Sequence, residues 1–259
     1  SLPTMSSKPS WDSWFSVTSH KAMAGQKHGY LNAIHYMKPN VSGHGEKICR
    51  WAARCAKPCL TASGMQFPTK IAARARKAAD FMADPQGYCQ KHHDAVPGLL
   101  RAAERAGLRP ALRLNGTSDI EYERPDLHML QDLDAYPGLV RYDYSKGWER
   151  ALDWASGKRS SLAPYLRSGG AGNFRDVKHY SITFSLGGVL DGKSGASRTY
   201  QEMLDAGVCV AAVWDTKEAM EEAMKAGGVD RFVVTDQKGE PVNTIDLGRK
   251  RTVVDGNED

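Results

Sequence analysis

No apolar run in this 259-residue chain approaches the roughly 18 residues that a membrane span requires. No apolar segment leads into a small-residue cleavage site, so the chain is expected to stay in a reducing cytoplasm. Cysteine is scarce: there are five, an odd number that leaves a complete disulfide framework out. A 28.4 kDa chain also buries enough core to stand without covalent staples. There is no internal repeat and no low-complexity tract, which excludes a solenoid. No helix-turn-helix, zinc-finger or aromatic single-strand platform can be quoted, so direct readout of a base sequence has no support.

What is present is unevenly distributed. Residues 1–120 carry 17 Lys and Arg against 7 Asp and Glu, whereas residues 121–259 carry 18 against 23, and the net charge is +5. A basic half suits a polyanionic partner, a nucleic acid or a phosphorylated small molecule, because clustered cations attract phosphates and release counterions. The plainer alternative is a solvated basic face.

Strand-like and helix-like stretches alternate. "WFSVTS" (14–19), "PALRLNGTSDI" (110–120), "GLVRYDYSK" (138–146), "HYSITFSL" (179–186), "VCVAAVWD" (208–215) and "RFVVTD" (231–236) are β-branched, aromatic or alternating. Between them, "TKIAARARKAADFMAD" has helical spacing behind a threonine cap. "YCQKHHDAVPGLLRAAERAG", "ASRTYQEMLDAG" and "TKEAMEEAMKAGG" end on glycine, as helices often do. This alternation predicts an α/β fold, a single parallel-stranded, barrel-like domain (a partial TIM barrel) with helices outside. Residues 1–13 read as a tag remnant and N-terminal arm, 14–237 as the barrel-like domain with a three-cysteine loop at 44–64, and 238–259 as a polar C-terminal tail. In such folds reactive groups gather at the carboxyl ends of the strands.

Three of the five cysteines fall in "ICRWAARCAKPCL", with the spacing Cys49-x5-Cys55-x3-Cys59. Thiolates this dense repel one another unless a cation neutralises them, and Arg50, Arg54 and Lys57 between them favour the thiolate form. Structural zinc would need a fourth ligand from His44, His20 or Cys89. An iron–sulfur cluster on three thiolates would keep one iron open to a small molecule. The plain alternative is three small buried hydrophobes in a turn.

"ICRWAARCAKPCLTASG" followed by a helix, then "RLNGTSDI" and "YDYSKG" at successive strand ends, resembles an uncharacterised family of bacteriophage and prophage proteins from Gly29 to the terminal "VVDGNED". The three cysteines and the strand–helix alternation distantly resemble the radical S-adenosylmethionine superfamily as well. That likeness implies a partial or full barrel, a four-iron four-sulfur cluster on Cys49, Cys55 and Cys59, and S-adenosylmethionine on the open iron as the source of a 5′-deoxyadenosyl radical. The spacing departs from that superfamily's usual CX3CX2C. Together the resemblances imply a phage-encoded protein acting in the cytoplasm of a bacterial host.

Other polar groups fall at the predicted strand ends. Arg113 and Asn115 lie on one side of their strand and are expected to bind the cofactor, with Ser185 beside them; Asp119, Tyr144 and Lys146 are expected to act in catalysis. The plain reading of Asn-Gly-Thr-Ser-Asp is a turn and a helix cap. Tyr142 shares a face with Tyr144, and Asp143 with Ser145. Lys70, Arg74 and Lys77 recur at helical spacing as a cationic stripe, with Arg76 nearby, and Arg159, Arg167 and Arg175 of a long loop are expected to meet the same phosphates. His92 and His93 read as helix surface. The leading expectation is an iron–sulfur enzyme of the radical type acting on a nucleotide or nucleic acid. A non-catalytic nucleic-acid-binding protein with structural zinc is the alternative. A third is a DNA-cleaving replication or nuclease protein, using Tyr142 or Tyr144, or Asp143, Asp215 and Asp236 around a metal.

Overall fold

The computed structural model describes residues 10–38, 48–49, 68–124, 127, 129, 135–136, 138–156, 180–185, 209–211, 231–235 and 241–246. Two short helices, α1 (Trp11–Trp14) and α2 (His20–Ala24), precede strand β1 (Tyr30–Ile34). Helices α3 (Pro68–Ala83) and α4 (Pro85–Ala106) follow, then β2 (Arg109–Arg113), β3 (Val140–Ser145), α5 (Trp148–Ser156), β4 (Tyr180–Ser185) and β5 (Cys209–Ala211). Strands β6 (Arg231–Thr235) and β7 (Pro241–Asp246) come last.

Local chemistry explains the long helices. Pro85 opens α4 where a missing N–H leaves nothing unsatisfied, and the Asp84 carboxylate accepts from Gly87 N–H at 3.0 Å. Gly107 stops the helix at φ +67°, a left-handed conformation that side chains with a Cβ resist. Helix α3 includes Pro68, so Thr69 lies in its first turn and is not the expected cap.

Strands β1 to β5 form one sheet in chain order, every neighbouring pair parallel. The expected α/β class with a parallel sheet is therefore present. Two expectations need correcting. Residues 14–19 are not a strand: Trp14 closes α1, and only Ser16 pairs, antiparallel with Ile34. Their aromatic content serves burial, with Trp14 and Phe15 at 6% and 0% exposure. The first strand is Tyr30–Ile34, a stretch not singled out in the sequence. At the other end β6 pairs antiparallel with β7 in a separate two-stranded sheet, because the short link from Thr235 to Pro241 allows a hairpin but no parallel crossover. Strand β7 falls within 238–259.

Both faces of the sheet carry buried polar groups, Asn32, Arg113 and Thr183 on one and Arg141, Asp143 and Ser145 on the other. Register aligns Asn32 with Ala111, Ala111 with Val140, Ile34 with Arg113, and Tyr144 with Thr183. Because side chains alternate, Asn32, Arg113, Tyr142, Tyr144 and Thr183 share one face. Leu31, Ala33, Leu112, Ile182 and Phe184 share the other, where they join Val96, Leu99 and Ala103 of α4 and Ala151 of α5 in the apolar core. Each buried leucine or phenylalanine of that core contributes roughly 1.5–3 kcal/mol.

That core contains two histidines. His92 is fully buried, which corrects the expectation of a helix surface. The Trp14 indole donates to His92 Nδ1 at 2.9 Å, so the ring proton sits on Nε2, facing the Tyr122 hydroxyl at 3.3 Å. His35 donates Nδ1–H to the Trp14 carbonyl at 2.9 Å, and its Nε2 accepts from the Tyr88 hydroxyl at 2.6 Å. Both rings are thus held neutral, and burial pushes His35 down to about 3 and His92 well below its usual range.

A close approach ties β1 to β2. Gly116 N–H donates to the His35 carbonyl at 2.9 Å, and a Cβ on Gly116 would stand 2.6 Å from that same oxygen and 2.7 Å from Ile34 Cγ2. Gly116→Ala is expected to destabilise the protein by about 1–3 kcal/mol through overpacking against backbone. Urea unfolding with an unchanged midpoint would refute that.

Candidate functional site

The site is built where β2 and β3 end. Past Arg113 the chain must turn while buried, and Asn115 supplies the partners. Its Oδ1 accepts from Ser118 Oγ at 2.7 Å and Ile120 N–H at 2.8 Å, and its Nδ2 donates to the Ile120 carbonyl at 2.9 Å. Its N–H and Nδ2 reach the two Asp143 carboxylate oxygens at 2.8 and 3.1 Å. Thr117 clips the same loop to Met37 beyond β1. A five-residue polar turn is thereby made rigid without any regular structure.

Behind the turn lies a buried ionic network. Arg150 of α5, fully enclosed, grips Glu123 with Nε and Nη2 at 2.6 and 2.7 Å and reaches Asp119 Oδ1 at 2.8 Å. Its Nη2 also donates to the Tyr180 hydroxyl at 3.0 Å, and that hydroxyl donates to Asp143 Oδ2 at 2.9 Å. Asp119 Oδ2 takes the Lys146 N–H at 2.9 Å. Burial pushes Asp143 up to about 6 against the pull of Arg150 and the Asn115 N–H. Burial also raises Asp119, with Arg150 again opposing, while the surrounding acidic groups hold Arg150 firmly protonated.

The three-cysteine segment touches this network. Asp119 N–H donates to the Ile48 carbonyl at 3.0 Å, and Cys49 pairs with Asp119 in a parallel bridge. Cys49, partly buried, is therefore held at the carboxyl end of β2. Cys55, Cys59 and His44 lie outside the described residues, as does the His20 side chain. Cys89 is sealed in the apolar core. Among the described residues no three of His, Cys, Asp and Glu gather as a metal-binding group.

The structure brings together most of the residues expected at the strand ends. The Arg113 guanidinium lies 4.6 Å above the Tyr144 ring, and its Nε donates to the Asn115 carbonyl at 3.3 Å. Tyr142 is buried and its hydroxyl takes a hydrogen bond from Asn32 Nδ2 at 2.6 Å. Tyr144 and Lys146 are partly exposed. Asp119 and Asn115 are buried, and their bonds hold the loop and the network together. Ser185 ends β4, and its side chain lies outside the described residues, as do Arg159, Arg167 and Arg175.

The expected cationic stripe is divided. Lys70 is exposed, but Arg74 lies 5.0 Å over the Tyr36 ring, and Lys77 sits 5.1 Å from the Trp14 ring while donating to the Trp14 carbonyl. Burial lowers Lys77 to about 8. No helix among the described residues is long and apolar enough to cross a membrane.

Sequence reading missed Arg150, Glu123 and Tyr180. A signal existed: Arg150 stands between Trp148 and Ala151 in a helix with apolar neighbours on both sides, and an arginine buried there needs acids. A family model described as Gene product 88 matches residues 14–255. No curated protein and no solved structure matches.

Proposed function

The chain belongs to the Gene product 88 family, a phage-type family, and on that premise we propose that it is a phage-encoded iron–sulfur enzyme of the radical S-adenosylmethionine type, acting on a nucleotide or nucleic acid. The supporting observation is the tie between Cys49 and Asp119, which holds the first of the three cysteines beside the loop that follows β2, at the carboxyl end of the sheet. That is the end where parallel sheets carry their chemistry. A sheet wound in chain order favours the same reading. Right-handed crossovers put successive helices on one side, in agreement with α4 and α5 sharing one core face, which is the arrangement a partial barrel would use.

The donor set fits the centre it would hold. Cys49, Cys55 and Cys59 offer three soft thiolates within eleven residues, interleaved with Arg50, Arg54 and Lys57, and Cys49 is partly buried beside the loop that follows β2. Such a centre, held by these three cysteines, would supply one-electron chemistry to a sulfonium cofactor. The chain's own groups do the rest. Asp119 anchors the cysteine segment through its backbone while its carboxylate is fixed by Arg150 and the Lys146 N–H. Arg113, Asn115 and Ser185 would serve the cofactor, and the Tyr144 hydroxyl and Lys146 ammonium would orient the substrate and carry protons.

Anaerobic expression with iron and sulfide should give brown protein with about four irons per chain, and Cys55→Ala should lose iron and activity together. Colourless protein with one zinc would replace this reading with the structural-zinc alternative. Metal-dependent DNA cleavage without iron would replace it with the nuclease.

A further inference from the structure

Parallel sheets carry their chemistry at the carboxyl ends of the strands, so nothing at the amino end requires a concentration of charge. The amino end of β1 and β2 is nevertheless basic. The two segments that meet there, 25–30 and 101–110, hold Lys27, His28, Arg101, Arg105 and Arg109 against one carboxylate, Glu104. All five of these basic side chains are exposed, and none forms an ion pair with another described residue. Arg101 and Arg105 stand one turn apart on α4, a spacing at which like charges repel. The dipole at the end of α4 favours a cation in its last turn, which accounts for Arg105 and not for Arg101 or Lys27.

The backbone holds these groups in fixed relation. Arg109 N–H donates to the Gly29 carbonyl at 2.8 Å, and Leu108 N–H to the Ala103 carbonyl at 3.0 Å. The short turn of helix at Gly25–His28 and the last turn of α4 are thereby both tied to the start of β2. Register places Tyr30 beside Arg109 on one face of the sheet. There the Arg109 guanidinium lies 5.1 Å over the Tyr30 ring and donates from Nη1 to the Tyr30 hydroxyl at 3.0 Å. An arginine held in this way has already given up rotamer freedom, and it presents its charge together with a half-exposed ring. Arg105 reaches the same end from the other face, where α4 packs.

We infer that this amino end is a docking surface for single-stranded nucleic acid, with Lys27, Arg105 and Arg109 receiving phosphates and the Tyr30–Arg109 pair stacking a base. Exposed cations alone suit any polyanion. A guanidinium held on a half-exposed aromatic ring suits bases that are free of a duplex, which stack on such groups. The surface lies at the opposite end of the sheet from Cys49 and Asp119, and it goes beyond the function proposed above without depending on it.

Fluorescence anisotropy of a labelled oligothymidylate, titrated with the full chain at several salt concentrations, tests the surface. Binding should weaken with salt at a log–log slope of about −2, as three phosphate contacts on a single strand imply. Lys27→Gln and Arg105→Gln should each weaken binding and shrink that slope by about 0.7. Tyr30→Leu should weaken binding roughly fivefold to a hundredfold and leave the slope unchanged, because it removes a stacking surface and no charge. A duplex of matched length should bind less tightly than the single strand, and this comparison decides the role of stacking should Tyr30→Leu fail to fold. No binding at low salt, a slope indifferent to Lys27 and Arg105, a duplex bound as tightly as the single strand, or capture by phosphatidylserine vesicles without oligonucleotide binding would each overturn the assignment. Iron-free protein and the Cys55→Ala variant should bind the oligonucleotide as well as the wild type does, so failure of the iron–sulfur reading leaves this one standing. Loss of oligonucleotide binding in Cys55→Ala would move the contact to the cysteine end and overturn it.

Discussion

Arg150→Ala should lower the unfolding free energy by about 3–5 kcal/mol, a large fraction of what a domain possesses. The side chain is fully enclosed and serves Glu123 twice, Asp119 once and the Tyr180 hydroxyl once. Its removal strands two buried carboxylates in a medium that cannot solvate them, and a cavity the size of an arginine adds to the penalty. Arg150→Lys should recover only part, because an ammonium cannot offer Glu123 two parallel N–H groups while still reaching Asp119. Glu123→Gln on top of Arg150→Met should be less destabilising than Arg150→Met alone, since one stranded charge goes with it. Chemical denaturation of these variants decides the matter, and a loss below about 1 kcal/mol for the alanine variant would show that water or another cation reaches the network.

Acid should be the second large effect. His35 and His92 are neutral in the folded protein, with His35 at about 3, and each takes a proton near 6.5 once unfolded. Between those limits the unfolded chain binds more protons, so stability falls as the pH drops below 6.5, by about 1.4 kcal/mol per pH unit for each histidine. Asp143 works the other way. With its folded value raised to about 6 and its unfolded value at 3.8, it is protonated first in the folded state and gives stability back between those two values; Asp119, also raised, acts in the same sense. The loss is therefore expected to set in near pH 6.5 and, below about pH 6, to run less steeply than the two histidines alone would make it. Asp143→Asn removes part of the opposing slope, so that variant should lose stability with acid faster than the wild type below pH 6. Equal slopes would refute the assignment to Asp143. NMR of the imidazole nitrogens should meanwhile show His35 protonated on Nδ1 and His92 on Nε2, unchanged down to pH 5.

Much of this architecture was legible because it is local. "HYSITFSL" and "GLVRYDYSK" alternate as strands do, and Gly107 ends its helix where a glycine after an apolar period should. Residues 14–19 misled because their aromatic and β-branched side chains serve tertiary burial against His35 and His92 instead of a strand ladder. "YLNAI" went unnoticed because an asparagine interrupts it, and only folding shows that asparagine buried against the Tyr142 hydroxyl. The crowding of Cys49, Cys55 and Cys59 was visible at once, whereas Arg150 was not. Its partners lie 27 to 31 residues away in sequence, and only folding brings them together.

The chain-order sheet has a consequence for synthesis. As translation proceeds, β2 can zip onto β1 as soon as it leaves the ribosome, β3 onto β2, and each newcomer finds its template edge already displayed by the segment made just before. No strand has to wait for a distant downstream partner or wedge itself between two that have already joined.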